Sequence, residues 1–227
     1  MKGLKQDFSK AVFLVVFVVA GLIASRINFS QLLGTPNQFF TLFQFFAPIA
    51  GGFLGSAIGA GVVLAPQLVD FAFLGKEASL LNVLRVLPLV FAAWYFGSNS
   101  KQKWEVAVPL LAIALFIAHP VGGQAWFFAA MFWSIPVLAK IFFADNLLAK
   151  SLGATFTAHA VGGIVWLYAL PTTPQFWAGL IPVVIYERAL FAAGIAVSYI
   201  ALNAVLSRIK LPQFVKVNRV LPFSARA

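Results

Sequence analysis

Long apolar segments separated by short polar stretches constrain this chain more than any other feature. We distinguish seven of them, at residues 10–25, 38–73, 80–97, 104–118, 124–143, 147–170 and 176–206. Most approach the roughly 20 residues that a tilted helix needs to cross a membrane, and none alternates as a barrel strand does. In lipid, every backbone polar group must be satisfied within the protein. We therefore predict an all-α fold, a polytopic transmembrane helical bundle at 1–207 with a basic tail at 208–227.

Composition excludes a soluble protein and several kinds of chemistry. The chain is 62% hydrophobic and 10% charged, with a mean hydropathy of +0.95, far from the values of soluble domains. The absence of cysteine excludes disulfides, thiolate metal ligands and cysteine nucleophiles. The net charge of +10 does not indicate nucleic-acid binding, because the basic residues cluster at the chain ends and in short loops. There they set topology and meet anionic lipid headgroups.

The uneven distribution of basic residues predicts the orientation of the bundle in the cell membrane. Lysine and arginine precede the first segment, occur near residues 101–103 and 140–150, and crowd the tail, whereas the loops at 119–123 and 171–175 contain neither. The positive-inside rule then places both termini in the cytoplasm, which requires an even number of crossings. Seven segments fit only if one does not cross or if 38–73 crosses twice, so six and eight spans are both compatible with the sequence.

Small residues recur at every fourth position in the segment 38–73. Such a ridge lets the backbone of another helix approach closely, and it predicts one helix from Pro48 to about Leu68 behind a short aromatic leg at 39–46. The alternative is a hairpin that turns at Gly51-Gly52. We expect the ridge to serve helix packing or the docking of a partner, through Ala47, Gly51, Gly55 and Gly59.

Both histidines of the chain lie in a short repeat. Ala-His-Pro-Val-Gly-Gly at 118–123 matches Ala-His-Ala-Val-Gly-Gly at 158–163, and a tryptophan follows each copy, Trp126 and Trp166. Either the chain contains an internal duplication or an apolar sequence repeats by chance. His119 is expected in a loop, whereas His159 lies deeper and either contacts a ligand or bonds another helix. Two histidines without cysteine are a poor ligand set, so we predict no metal and no cofactor.

The final segment contains two adjacent charges, Glu187 and Arg188. Ionisable groups at membrane depth are costly, so they usually face the bundle interior or a wet cavity. Because neighbours on a helix point about 100° apart, we predict that these two do not pair with each other. Arg85 is a candidate partner for Glu187, and Asp70 for either arginine. Two interpretations explain such charges. One is an ion-pair network that includes Asp70 and Arg85, and the other is a ligand site.

Three segments resemble the substrate-binding S components of energy-coupling factor (ECF) vitamin transporters. They are the glycine-rich stretch at 48–59, the Leu-Arg-Val-Leu-Pro at 84–88, and the Phe-Thr-Ala-His at 156–159 with the Gly163 and Trp166 that follow. The resemblance implies six helices with both termini inside, whereas this chain has seven apolar segments. It also implies a membrane-embedded protein that captures a small water-soluble nutrient from outside. Such a protein docks through small-residue helix surfaces onto a transmembrane coupling subunit driven by cytoplasmic ATPases.

We predict a ligand pocket in the outer half of the bundle, formed by the two repeat copies and the final segment. Its candidate residues are His119, Trp126, His159, Trp166, Glu187 and Arg188. No Walker loop, His-Glu-x-x-His or Gly-x-Ser-x-Gly motif is present, so we assign no catalytic residue. The alternatives are an intramembrane enzyme acting on a lipid or isoprenoid, and a scaffold subunit of a membrane complex. The expected partners are membrane lipid, a small-molecule substrate, the coupling subunit and its ATPases.

Overall fold

The computed structural model describes residues 2–31, 39–73, 75, 77–99, 104–208, 211, 213 and 215–217, with side chains for all of these except residues 2–10 and 31. Within these ranges the chain consists of helices and one short antiparallel hairpin. The elements are, in chain order, α1 (Lys2–Ala24), β1 (Asn28–Gln31), β2 (Phe39–Thr41), α2 (Phe43–Leu54), α3 (Ser56–Phe73), α4 (Leu80–Leu84), α5 (Leu87–Gly97), a 3₁₀ turn (Trp104–Val106), α6 (Ala107–Ala118), α7 (Pro120–Gln124), α8 (Trp126–Trp133), α9 (Ile135–Phe142), α10 (Leu147–Ala169), α11 (Pro174–Gly179) and α12 (Ile181–Leu206).

The predicted helical bundle is confirmed. In the described part, four helical stretches are long and apolar enough to cross a membrane, at Ser56–Phe73, Leu80–Gly97, Leu147–Ala169 and Ile181–Leu206. Shorter apolar helices accompany them at Ala11–Ala24, Phe43–Leu54, Trp104–Ala118 and Trp126–Phe142. The apolar segment at 38–73 contributes two of these helices, α2 and α3, where we distinguished one segment in the sequence.

The prediction of one helix from Pro48 to about Leu68 is wrong. The helix is interrupted at Gly55, whose φ of +83° lies in the left-handed region and ends α2 before α3 begins. Glycine adopts this conformation without a steric penalty because it has no Cβ. A turn inside the segment was the alternative prediction, but it falls at Gly55 and not at Gly51-Gly52.

The small residues of the ridge pack α2, α3 and α5 against one another. A Cβ added to Gly51 would overlap the backbone carbonyl of Ala93 in α5, and one added to Gly59 would lie 2.5 Å from the Cα of Gly51. Ala47, on the same side of α2, is completely buried. Ala47, Gly51 and Gly59 are therefore enclosed by the chain itself and do not offer a surface to a partner.

Proline marks two further helix breaks. The segment at 176–206 divides at Leu180, two residues before Pro182. The segment at 124–143 divides at Ser134 in the same way, with Pro136 in the first turn of α9. Proline is tolerated there because the first N–H groups of a helix have no partner within it.

The two copies of the histidine repeat have different structures. His119 ends α6 and caps the short helix α7, whereas His159 lies in the middle of the continuous helix α10. The difference follows from the next residue. Pro120 removes a backbone donor and clashes with the preceding turn, while Ala160 lets the helix continue.

Helix α10 is central to the bundle and joins its two buried clusters. Ala154 and Ala158 pack into a cluster formed mainly by α2, α3 and α5. Phe156 and Ala160, on another face, pack into the aromatic cluster of α6 and α8. A helix that is apolar on all sides is typical of such a buried position.

Part of the predicted basic tail folds back onto the bundle. The backbone N–H of Lys216 donates to the carbonyl oxygen of Phe53 at 2.7 Å, and Val215 is buried in the core. This contact satisfies a carbonyl at the C-terminal end of α2. Some of the basic residues used to predict the orientation lie outside the described residues. They are those in most of the tail, Lys101 and Lys103, and the side chains of the first ten residues.

Candidate functional site

A cavity of about 480 Å³ lies at one end of the bundle. This volume is within the range of roughly 300–1,000 Å³ that is usual for small-molecule sites. The residues that line it come from the ends of α3 and α10, from the starts of α2, α5 and α12, and from β2 and α11. Because α1 also ends here and α12 begins here, the start of α1 and the end of α12 lie toward the opposite end.

The cavity combines charged, amide and aromatic side chains. It brings together four of the predicted site residues and both members of the predicted ion-pair network: His159, Trp166, Glu187, Arg188, Asp70 and Arg85. The lining also includes the amides of Gln44, Gln67 and Asn82 and the rings of Phe40 and Phe176. Small-molecule sites typically have this composition, with apolar walls and a few placed polar groups.

Glu187 and Arg188 form an ion pair, contrary to our prediction. The Arg188 Nη2 lies 3.2 Å from Glu187 Oε2, with 5% and 14% of the two side chains exposed. The 100° offset separates the Cα–Cβ directions of neighbours, but the long arginine side chain folds back across it. A second guanidinium nitrogen, Nη1, lies 3.4 Å from the hydroxyl of Thr155 in α10.

Two aromatic rings also hold the Arg188 guanidinium. Its central carbon lies 4.4 Å from the ring centre of Phe191 and 5.3 Å from that of Phe40. Cations stack favourably on aromatic faces at such distances. The charge of Arg188 is therefore balanced and its position is fixed before any ligand enters the cavity.

The predicted pairing of Arg85 with Asp70 or Glu187 is not observed. Asp70, near the end of α3, pairs instead with Arg26, which follows α1 and has 56% of its side chain exposed. Only the tertiary structure places Arg26 there, since the two residues are far apart in the chain. Arg85 lines the cavity and makes no hydrogen bond or ion pair with any residue that the structure describes.

His159 makes a helix–helix hydrogen bond and also faces the cavity. The indole Nε1 of Trp133, in α8, donates to His159 Nδ1 at 3.1 Å. An indole N–H can only donate, so Nδ1 accepts and the proton of the neutral imidazole is on Nε2. This nitrogen has no hydrogen-bond partner among the described residues and is available to a ligand.

The first copy of the repeat does not line the cavity. His119 accepts a hydrogen bond at Nδ1 from the backbone N–H of Val121, 3.2 Å away, and its ring packs against Tyr168. Trp126 is 55% exposed on the outside of the bundle. The cavity wall that we expected from this copy comes instead from α3, α5 and the β2 strand.

Phe40, Asn82 and Phe176 also line the cavity and were not predicted from the sequence. Asn82 carried a recognisable signal, because it is an amide within an apolar segment. Phe40 and Phe176 carried none, since the chain contains 25 phenylalanines and only the fold selects those that face the cavity.

The two roles of His159 can be separated with a matched pair of variants. Trp133→Phe and His159→Ala both remove the Trp133–His159 hydrogen bond, so we expect both to lower the melting temperature, through a loss of about 1–3 kcal/mol. Only His159→Ala also removes Nε2 from the cavity, so it should weaken ligand binding at least about fivefold more than Trp133→Phe does, as expected for one hydrogen bond. Thermal melting and calorimetric titration of purified protein would measure both effects. Equal losses of ligand affinity in the two variants would mean that His159 acts only through the bundle.

Comparison with protein-family models, with curated proteins and with solved structures finds no match to this chain.

Proposed function

We propose that this chain is a multi-pass membrane protein that binds a small water-soluble nutrient and takes part in its transport. The cavity carries the proposal. It has the volume of a vitamin-sized molecule, and charged, amide and aromatic side chains converge on it. Charged groups at membrane depth are costly unless they serve a ligand or a pathway, and four line this one cavity.

The positions of the acids support binding more than catalysis. An intramembrane enzyme needs an acid or base that is free to exchange a proton with its substrate. The two acids that line the cavity are both engaged by arginines, Asp70 by Arg26 and Glu187 by Arg188. This arrangement favours a fixed electrostatic surface for a ligand over general acid–base chemistry.

We further propose that both termini are cytoplasmic and that the cavity opens to the outside. Described basic residues at the end opposite the cavity, Lys140, Lys150 and Lys216, support this orientation through the positive-inside rule. The division of 38–73 into two helices also supports it, because seven apolar segments of which one crosses twice would make an even number of crossings.

Reporter fusions test this topology. Fusions at Met1 and at Ala227 should both report the cytoplasm, because the basic residues are retained on that side. An insertion at Thr172, in the loop between α10 and α11, serves as the control and should report the outside. A C-terminal reporter outside the cell would contradict the proposal.

The resemblance to ECF S components supports a partnership with a transmembrane coupling subunit and ATPases. The ridge positions Ala47, Gly51 and Gly59 are enclosed in the bundle, so docking would use another, exposed surface. Affinity purification of the tagged chain from its native membrane should recover ATPase subunits, and uptake of the ligand should stop when ATP is depleted. Recovery of a stable complex without ATPases, and without uptake, would favour the scaffold alternative.

Thermal melting with a panel of vitamins and nucleobase-like compounds tests ligand binding directly. A ligand that binds the folded state alone stabilises it by about 2.7 kcal/mol at one hundred times its Kd, so at least one compound should raise the melting temperature clearly. Mass spectrometry of small molecules released from the purified protein provides an independent test. If no compound stabilises the protein and none is released from it, the proposal fails.

A further inference from the structure

We infer that the cavity takes a small organic monoanion whose carboxylate is bound by Arg85. This inference deepens the proposed function and rests on it, since it names the charge and the anchoring group of the ligand. Three observations carry it: an arginine without a counter-ion among the described residues, the charge balance of the cavity, and the arrangement of donors and rings around it.

Arg85 is the cation that the described residues leave unpaired in this cavity. It lies in the connection between α4 and α5 and is only partly buried. The acids that line the cavity already have partners, since Asp70 is held by Arg26 and Glu187 by Arg188. A guanidinium at membrane depth without a partner is costly, so an anion supplied by the ligand would remove that cost.

The connection that carries Arg85 is tied to α3. The side-chain amide nitrogen of Gln67, in α3, lies 3.4 Å from the carbonyl oxygen of Val86 and 3.3 Å from that of Val63. Gln67 thus links α3 to the residue next to Arg85. This link holds the arginine at the cavity edge, where a planar guanidinium can bind a carboxylate through two parallel hydrogen bonds.

The charges around the cavity favour a ligand with one negative charge. The four charged residues that line the cavity cancel, and Arg26, paired with Asp70 at its rim, leaves a surplus of one positive charge. A monoanion neutralises this surplus, whereas a phosphate dianion would leave an excess negative charge in a low-dielectric site. A cation would add a second unpaired positive charge beside Arg85.

The rest of the cavity suits an uncharged, partly flat body. Trp166, Phe40 and Phe176 offer apolar rings, and His159 offers an N–H donor at Nε2, because its Nδ1 accepts from Trp133. A carbonyl or ring nitrogen of the ligand can accept this hydrogen bond. The expected ligand therefore has a carboxylate at one end and a planar group with an acceptor at the other.

Matched pairs of acids and neutral analogues test the inference. The probes are nicotinate and nicotinamide, biotin and biotinamide, and pantothenate and panthenol, titrated into the full chain in lipid nanodiscs. We expect the acid of at least one pair to bind at least about tenfold more tightly than its neutral partner, as charge-assisted hydrogen bonds allow. Arg85→Gln should abolish this preference, and Arg85→Lys should retain part of it.

The outcomes separate this inference from the proposed function. If neutral or cationic compounds bind as tightly as the acids, or if the acid preference survives in Arg85→Gln, the inference is overturned while ligand binding stands. If no probe binds and no small molecule is released from the purified protein, both fail. The wild-type ratio of acid to neutral affinity needs no variant, so it tests the charge of the ligand even if Arg85→Gln does not fold, and Arg85→Lys then tests the anchor.

Discussion

Arg188→Met will lower the free energy of unfolding by about 3–5 kcal/mol, the range expected when one partner of a buried ion pair is removed. The substitution keeps an unbranched side chain against Phe40 and Phe191 but leaves the Glu187 carboxylate without its cation. Glu187 has 14% of its side chain exposed, so water compensates only a little. Titration with a denaturing detergent, followed by tryptophan fluorescence, would measure the loss.

A double variant provides the control for this prediction. Glu187→Gln combined with Arg188→Met removes both charges, so no buried charge remains unpaired, and it should recover more than half of the stability that the single variant loses. If the double variant is as unstable as Arg188→Met, the guanidinium stabilises the bundle mainly through its contacts with Thr155 and the two rings. If Arg188→Met itself unfolds as the wild type does, the ion pair contributes nothing to stability.

Gly59→Ala will destabilise the bundle by about 1–3 kcal/mol or more, as overpacking of a close contact does. The added Cβ would lie 2.5 Å from backbone atoms of Gly51, and a helix backbone cannot rotate away as a side chain can. Separation of α2 and α3 would also disturb the start of α2 and the end of α3, which line the cavity. We therefore expect a lower melting temperature together with weaker ligand binding.

Gly61→Ala is the matched control on the same helix. No atom lies within 4 Å of a Cβ at this position, so the substitution should be neutral or stabilise α3 by up to about 1 kcal/mol through helix propensity. Thermal melting of the two variants in parallel distinguishes a steric contact from a general effect of losing glycine. Similar melting temperatures for Gly59→Ala and Gly61→Ala would mean that α2 and α3 do not approach as closely as described.

Several features of the site were predictable because they depend on local composition. Apolar segments of membrane length predict helices wherever they occur, and charged groups inside such segments predict a polar interior. This reasoning identified His159, Trp166, Glu187 and Arg188, all of which line the cavity. Whether they contact a ligand remains a prediction for the binding experiments.

The sequence by itself determined the helical class, the extent of the apolar segments and the presence of costly charges within them. Only the tertiary structure decided how these charges pair, because pairing depends on which helix ends meet. Asp70 meets Arg26 through the position of α1, and Arg188 folds back onto its own neighbour. The small-residue ridge extends over two helices because Gly55 adopts a left-handed conformation, which ends α2. The spacing of four residues between small side chains does not reveal that conformation. Hydrophobic periodicity reports what a helix can bury, whereas the fold decides what it is buried against.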